Sequence, residues 1–518
     1  MLITEMLANN ARIYPEETAL VELEPAKGKR SEISWKMFDE NANRLCDALI
    51  RNGISKGDTV VHLNKNCLEW LPIYFGILRT GAWVVPLNFR FDPNSVKNCV
   101  QVAGAKVFFF GTDFVDHANL VRDSSRDVKI FVFVGPPEMK PDYAILYEDF
   151  LGSGENVVHE IELQLSDPAG LYFTSGTTGN PKAVLLTQGN LQSACYAERE
   201  HHHQTHEDNF LCIPPLYHTG AKMHWFGNLL VGAKAVILKG VDPRSILKAV
   251  SDEKVTIVWL LVPWALDILF ALENGDLKLE DYDLGSWRLM HIGAQPVPPS
   301  LVREWKKVFP HHQYDTNYGL TECTGPGCVH LGMDNIHKVG AIGLPGRGWE
   351  TRIVDSDVKD VKSGEVGELA LKGPGVMREY FRNPGATEMV MKDDWLLTGD
   401  MARQDEEGFI WLVDRKKDVI IMGGENIFPV EIESFLQSHP QIQDVAVIGI
   451  PNERLGEIPV AVVEAKQGQN LTQEDVNEFC KSLPRYKRPR SIYLADVPRN
   501  ETGKIEKPRL RKMYGVKA

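Results

Sequence analysis

Apolar positions along the first two-thirds of the chain alternate between a helical and an extended rhythm. Met37, Phe38, Ala42, Leu45 and Leu49 share one helical face, and Gly53 supplies a stop. Thr59–Leu63 then reads as a strand, 67–79 as a helix ended by Gly81, and 83–85 as a short strand. The runs 106–110 and 128–133 are continuous enough to be buried strands. The same alternation returns with strands at 235–238 and 255–258 around a helix near 246–251. Helix and strand in turn predict an α/β fold with a largely parallel sheet.

The rhythm changes near residue 340. Gly343, Gly346, Gly348, Gly364 and Gly367 punctuate short strands at 351–354 and 368–371, which predicts a small barrel or distorted sheet. From Lys416 onward the pattern is α+β. Pro429–Gln437 reads as a helix with proline in its first turn, followed by paired strands at 445–450 and 458–464. A charge-dense stretch at 414–417 marks a domain boundary. The fold class expected is α/β: a large N-terminal domain of mixed layers with a β-rich subdomain, then a small α+β domain.

Length agrees, because 518 residues exceed one ordinary core. Hydrophobic content of 43% and charged content of 25% are those of a soluble globular protein. A net charge of −13 without a long basic run argues against nucleic acid or anionic membrane as main partners. Eight scattered cysteines suggest free thiols in a reducing compartment. No apolar run approaches the roughly 18 residues that span a bilayer. The start lacks a signal-peptide pattern, so the cytoplasm is the expected location.

Chemistry concentrates in the run Thr174-Ser175-Gly176-Thr177-Thr178-Gly179-Asn180-Pro181-Lys182, set between apolar segments. Hydroxyls, glycines and a lysine in one turn suit a polyphosphate. The run is not a Walker A motif, because no Gly-Lys-Ser/Thr closes it. In Tyr318-Gly319-Leu320-Thr321-Glu322 an aromatic can stack on a base and a carboxylate can hold Mg²⁺. Asp400 follows a turn and suits a ribose diol. Asp414-Arg415-Lys416-Lys417-Asp418, Gly423-Gly424-Glu425-Asn426 and Arg499 to Lys504 complete the series. His201, His202, His203 and His206 read as a solvated helix face, since nothing at ligand spacing closes a metal site. Cys323, Cys328 and His330 are likewise an incomplete ligand set.

Taken in order and spacing, these motifs resemble the adenylate-forming superfamily of acyl-CoA synthetases, adenylation domains and luciferases. The resemblance runs from near the N-terminus to Lys504. It implies an N-terminal domain of 1–414, its β-rich part about 340–414, and a mobile C-terminal domain of 415–518 hinged at Lys417. It implies two half-reactions. A carboxylate attacks the α-phosphate of ATP to give acyl-AMP and pyrophosphate, and a thiol, usually coenzyme A, then displaces AMP. Thr174, Ser175, Gly176, Thr177, Thr178, Gly179 and Lys182 would hold the outer phosphates. Thr321 would touch the α-phosphate, and Glu322 with Thr177 would bind Mg²⁺. Gly293, Ala294, Asn317 and Tyr318 would form the adenine slot, and Gly319 would be a further cofactor-binding residue. Asp400 and Arg415 would bind the ribose. Lys504 would reach the α-phosphate and the acid. His218 would gate the acyl site, and Gly423, Gly424 and Glu425 would line the CoA path. Two positions depart from the family pattern: Ala183 and Asp394 stand where glycine is usual.

The acyl pocket is expected from the segments 218–229, 259–264 and 290–296. Met223, Trp225, Phe226, Trp259, Trp264 and Met290 give it bulk, which favours a short, cyclic or aromatic acid. Lys222 and His224 are candidates for a second polar group on the substrate, with one of the two expected to face solvent. The reading is a carboxylate–CoA ligase, monomeric or homodimeric, using ATP, Mg²⁺ and coenzyme A. The alternatives are an adenylation enzyme loading an acyl carrier protein, a longer-chain fatty acyl-CoA synthetase, and a non-catalytic paralogue. Retained Lys182, Glu322, Asp400 and Lys504 argue against the last.

Overall fold

The computed structural model describes residues 1–174, 181–293, 297–330, 332–499 and 505–515, with only the backbone of Ala221, Met223 and Met333. The chain forms two compact units. The first comprises Met1–Thr351 with Leu371–Leu396, and the second Arg352–Ala370 with Leu397–Ala518.

In the first unit the apolar runs form two large sheets. One has the order Gln313–Asp315, Leu289–Gly293, Ile257–Leu261, Asn209–Cys212, Lys234–Leu238, Thr18–Glu24, Lys29–Ser34. All its pairs are parallel except the last. The other is centred on the parallel strands Trp83–Pro86, Thr59–Leu63, Val107–Gly111 and Ile130–Val134. The antiparallel hairpin Pro168–Thr174 and Lys182–Thr187 extends it. Central strands such as Thr59–Leu63 and Val107–Gly111 are buried along their whole length, and the second accordingly reads as an unbroken apolar run.

Two helices explain how this unit is filled. Trp70–Arg79 is buried nearly all round. Thr219–Val231 is buried on more than one face as well. Its Trp225 packs on Phe38 and Phe75, while its His224 meets Phe210, Trp259 and His291. Both sets of neighbours are core groups, so neither the Trp225 side nor the His224 side of this helix faces water.

The second unit holds the antiparallel pair Trp395–Gln404 and Ile410–Arg415. It also holds a sheet built on the long hairpin Ile442–Asn452 and Gly456–Ala465. Alternate residues of that hairpin feed two cores. Val445, Val447, Ala461 and Val463 pack with Ile432 and Leu436 of the helix Pro429–Gln437. Ala446, Ile448, Val460 and Val462 pack with Leu510 of the helix Lys507–Tyr514. The period-2 register alone makes this two-faced arrangement possible. All eight cysteines are free. Among the described residues no helix is long and apolar enough to cross a membrane.

Candidate active site

The hairpin Pro168–Thr174 and Lys182–Thr187 sets Thr174 opposite Lys182. Ser175, Gly176, Thr177, Thr178 and Gly179 lie outside the described residues, as do Ala294, Lys504 and the side chain of Met223. Ala183 is buried in a cluster with Leu171 and Leu185, and its carbonyl accepts from Phe381 N–H at 2.8 Å. The methyl that departs from the family pattern is therefore a core atom.

Lys182 Nζ lies 4.7 Å from the centre of the Tyr380 ring. Tyr380 in turn donates its hydroxyl to Glu322 Oε1 at 2.7 Å. Burial, with the Glu322 charge beside it, pushes the Tyr380 phenol above its ordinary range, so it stays a donor. Tyr380 is anchored because Glu379–Tyr380 pairs with the strand that carries Lys182. One cation, one phenol and one carboxylate thus stand in line.

Thr321 and Glu322 lie in a short 3₁₀ turn, Thr321–Cys323. Thr324 follows at φ 59 and ψ −45. A β-branched residue there is strained, at a cost on the order of 1–3 kcal/mol. Two bonds hold it: Thr324 Oγ1 donates to Gly375 O at 2.8 Å, and Met377 N–H donates to Glu322 O at 2.8 Å. The turn aims Glu322 and keeps it there. Gly319 is required by close approach, because a Cβ there would stand 2.6 Å from Gly325 O. Tyr318 is nearly buried in the strand Asn317–Tyr318. Asn317 donates from Nδ2 to Glu198 Oε1 at 3.2 Å.

Among the residues expected at the acyl site, His218 is exposed at the start of Thr219–Val231, its ring 4.3 Å from that of Tyr217. Lys222 and His224 are both completely buried, which corrects the expectation that one faces solvent. Lys222 Nζ donates to Leu216 O at 3.0 Å and to Tyr217 O at 3.4 Å, above the ring of Tyr172. Burial pushes its ammonium well below the ordinary lysine range. Lys222 therefore braces the segment before the helix. Trp225 is corrected likewise: packed on Phe38 and Phe75, it fills the core. Trp259 behaves differently. Its ring lies 5.1 Å from that of His224, and its Nε1 and His291 Nε2 stand 3.6 and 3.7 Å from where a Cβ on Gly293 would be.

The histidine run also needs correction. His203 is exposed, at φ 49, and His206 reaches Glu17 at 3.0 Å. His202, by contrast, is buried beside Glu198, His224, His291 and Asp315. Glu198 and His202 are one helical turn apart, and that spacing was the available signal. His291, Asp315 and Tyr380 carried no local signal. Cys323, Cys328 and His330 belong to no metal-holding group among the described residues.

In the second unit Asp400 and Arg415 are direct partners across the strands, with Arg415 Nε 2.7 Å from Asp400 Oδ1. Asp400 is buried and Arg415 exposed, so the acid is fixed and the guanidinium reaches outward. Lys416 Nζ donates to Glu368 Oε2 at 2.7 Å, and Glu368 also accepts from Gly399 N–H at 2.9 Å. Lys417 lies in the turn Lys416–Asp418, its ammonium lowered by burial. Gly423 and Gly424, at φ 62 and 91, make a two-residue turn between Ile420–Met422 and Glu425–Ile427. Two consecutive positive φ values are what such a hairpin demands. Glu425 is exposed beside it.

Comparison with known proteins agrees with this chemistry. Residues 7–381 match the AMP-binding enzyme family, and 431–504 match the AMP-binding enzyme C-terminal domain. Indoleacetate–CoA ligase of Aromatoleum aromaticum is 32% identical over 521 residues, covering 100% of this chain and 99% of that protein. A long-chain-fatty-acid–CoA ligase of Mycobacterium tuberculosis is 30% identical, covering 99% and 98%. The o-succinylbenzoate coenzyme A synthetase of Bacillus subtilis, solved with ATP and a magnesium ion, superposes with a TM-score of 0.84 at 26% identity, covering 98% and 99%.

The chain belongs to the AMP-binding enzyme family and is an AMP-forming acid–thiol ligase. Relatives in this family act on aromatic and on fatty acids.

Proposed function

We propose that this chain joins a short- or medium-chain, alicyclic or aromatic carboxylic acid to coenzyme A, through an acyl-AMP intermediate and with release of AMP and pyrophosphate. The observation that carries this reading is the line of Lys182, Tyr380 and Glu322 beside the Thr174 hairpin. It sets a fixed cation and a fixed carboxylate next to the polyphosphate-binding sequence. Lys182 holds the outer phosphates by charge and opposes the repulsion between two anionic reactants. Glu322 suits Mg²⁺, a hard cation usually bound by one or two carboxylates and substrate phosphates. Its Oε1 is oriented by Tyr380. When bound, Mg²⁺ offsets charge on the phosphates. The acid needs no general base, being ionised at neutral pH.

Asp400 and Arg415 bind the ribose diol, and Tyr318 and Asn317 border the base. Thr321 contacts the α-phosphate. Lys504 neutralises the same phosphate and the acid during the first step. The domain 415–518 then turns about Lys417 and brings Gly423, Gly424 and Glu425 to the thiol path. His218 gates the acyl site.

Bulk at Trp259, backed by His224 and His291, favours a compact acid over a long chain. The test is an AMP-release screen dependent on ATP, Mg²⁺ and coenzyme A. It spans acetate to palmitate, benzoate, alicyclic acids and dicarboxylates. Turnover of compact acids with coenzyme A is expected. Turnover of palmitate alone, or of a carrier-protein thiol but not coenzyme A, refutes the reading.

A further inference from the structure

Four side chains that no adenylating step uses meet inside the first unit. Glu198 and His202 stand one turn apart at the end of the helix Gln188–His201. His224 comes from the middle of Thr219–Val231, and His291 from the strand Leu289–Gly293. All four are buried. Ligand atoms of the three histidines lie within 4.8 Å of one another.

Glu198 stands against two of the three histidines. Glu198 Oε2 lies 3.1 Å from His202 Nδ1 and 2.9 Å from His224 Nδ1. These pairs stand at ion-pair distance, yet none of the three atoms has the geometry of a hydrogen bond. Both ring nitrogens of His291 and Nε2 of His224 are also buried without a hydrogen bond. Such buried polar atoms are costly if nothing answers them. Ring centres are 5.1 Å apart for His202–His224, 5.1 Å for His202–His291 and 4.3 Å for His224–His291. Imidazoles sharing a tetrahedral ion with a bond near 2.0–2.1 Å have centres about 5 Å apart.

An outer layer is present too. His202 Nε2 is 2.9 Å from Asp315 Oδ2, and the other oxygen of Asp315 accepts from Thr316 N–H at 2.8 Å. Asn317 donates to the second oxygen of Glu198. A carboxylate behind a ligating imidazole, and a donor behind a ligating carboxylate, orient metal ligands in the usual way.

We propose that Glu198, His202, His224 and His291 bind one divalent transition-metal ion of the Zn²⁺ type in a closed, four-ligand structural site. Three imidazoles and a carboxylate suit Zn²⁺, whereas Mg²⁺ prefers an all-oxygen shell such as Glu322 with phosphates. The ion ties two helices to the strand that ends at Gly293. It thereby fixes the wall of the acyl site, and through Asn317 the border of the adenine slot.

The test is the metal content of the untagged, full-length protein. It is grown in zinc-replete medium, or reconstituted with Zn²⁺ after chelation, and passed through gel filtration. About one zinc per chain is expected. X-ray absorption should show four nitrogen or oxygen ligands near 2.0 Å with imidazole scattering. Removing the metal should lower the melting temperature. His224→Ala should lose the ion, and His206→Ala should keep it. Absence of bound zinc after reconstitution overturns the proposal. So does a six-coordinate, oxygen-rich shell, or zinc retained by both His224→Ala and Glu198→Gln. Should His224→Ala fail to fold, the absorption spectrum of the unaltered protein decides.

Discussion

Gly293→Ala separates fold from specificity. Gly293 ends the strand Leu289–Gly293 and is buried. A Cβ there would lie 3.6 Å from Trp259 Nε1, 3.7 Å from His291 Nε2 and 3.9 Å from Thr316 Oγ1. All three are ordinary van der Waals separations, so the methyl displaces nothing. The residue is also outside the left-handed region. Losing a glycine from the unfolded ensemble then stabilises by about 0.4–1 kcal/mol, and the melting temperature should hold or rise. The methyl nevertheless takes space beside Trp259. An acid whose ring or branch fills that space meets an extra methyl worth about 1–3 kcal/mol, a loss of roughly 10- to 200-fold in kcat/KM. Acetate and propionate should be unaffected. Gly220→Ala is the contrast, because its Cβ would stand 3.0 Å from Trp259 Cη2, so the indole must shift. The assay pairs thermal unfolding with AMP release across the acid series. A uniform fall over all acids with a raised KM for ATP would place Gly293 in the adenine slot instead. A large fall in melting temperature would refute the packing argument.

Four further outcomes follow from the same geometry. Asp400→Asn removes one charged acceptor for the diol, and charge-assisted bonds of about 1.5–3 kcal/mol predict a KM for ATP raised roughly 10- to 160-fold. An unchanged KM in ATP–pyrophosphate exchange refutes that role. Lys222→Met deprives the Leu216 and Tyr217 carbonyls of their donor, about 1–3 kcal/mol, and should lower the melting temperature without changing acid preference. Selective loss of dicarboxylic acids would restore Lys222 as an anchor. Asp414 is raised to about 6 by burial, despite Lys507 nearby and with Glu433 adding to the rise. A folded pKa above the unfolded one stabilises fully below the unfolded value, and the contribution is lost as pH rises through about 6. Its size is on the order of 3 kcal/mol. Asp414→Asn should flatten stability between about pH 3.8 and 6 relative to the unaltered protein, and parallel profiles would refute this. Lys417→Pro should keep ATP–pyrophosphate exchange and lose thioester formation. Unchanged overall turnover would remove the hinge from Lys417.

The sequence by itself determined the parts whose chemistry is local. Buried strands such as Val107–Gly111 announce themselves because both faces are apolar. The helix Pro429–Gln437 starts at a proline and ends where expected. Asp400 and Arg415 each carry a motif, and the antiparallel register then makes them partners. A turn that needs positive φ is written as Gly423-Gly424.

What only the tertiary structure decided concerns residues with neighbours far along the chain. Helical spacing predicts one exposed face for Thr219–Val231, but that rule assumes water on one side. This helix has core groups on both the Lys222 and the His224 sides, so both residues are buried. The same holds for His202. Its helix reads as solvated because Glu198 is its only local partner, whereas His224, His291 and Asp315 come from three other segments. Tyr380 reaches Glu322 across 58 positions, and no periodicity encodes that distance. Local physics thus carries the nucleotide reading, because the segments proposed for phosphate and ribose are short motifs. The acyl wall and the histidine cluster depend on which strands lie side by side, and that is settled only when the sheet assembles.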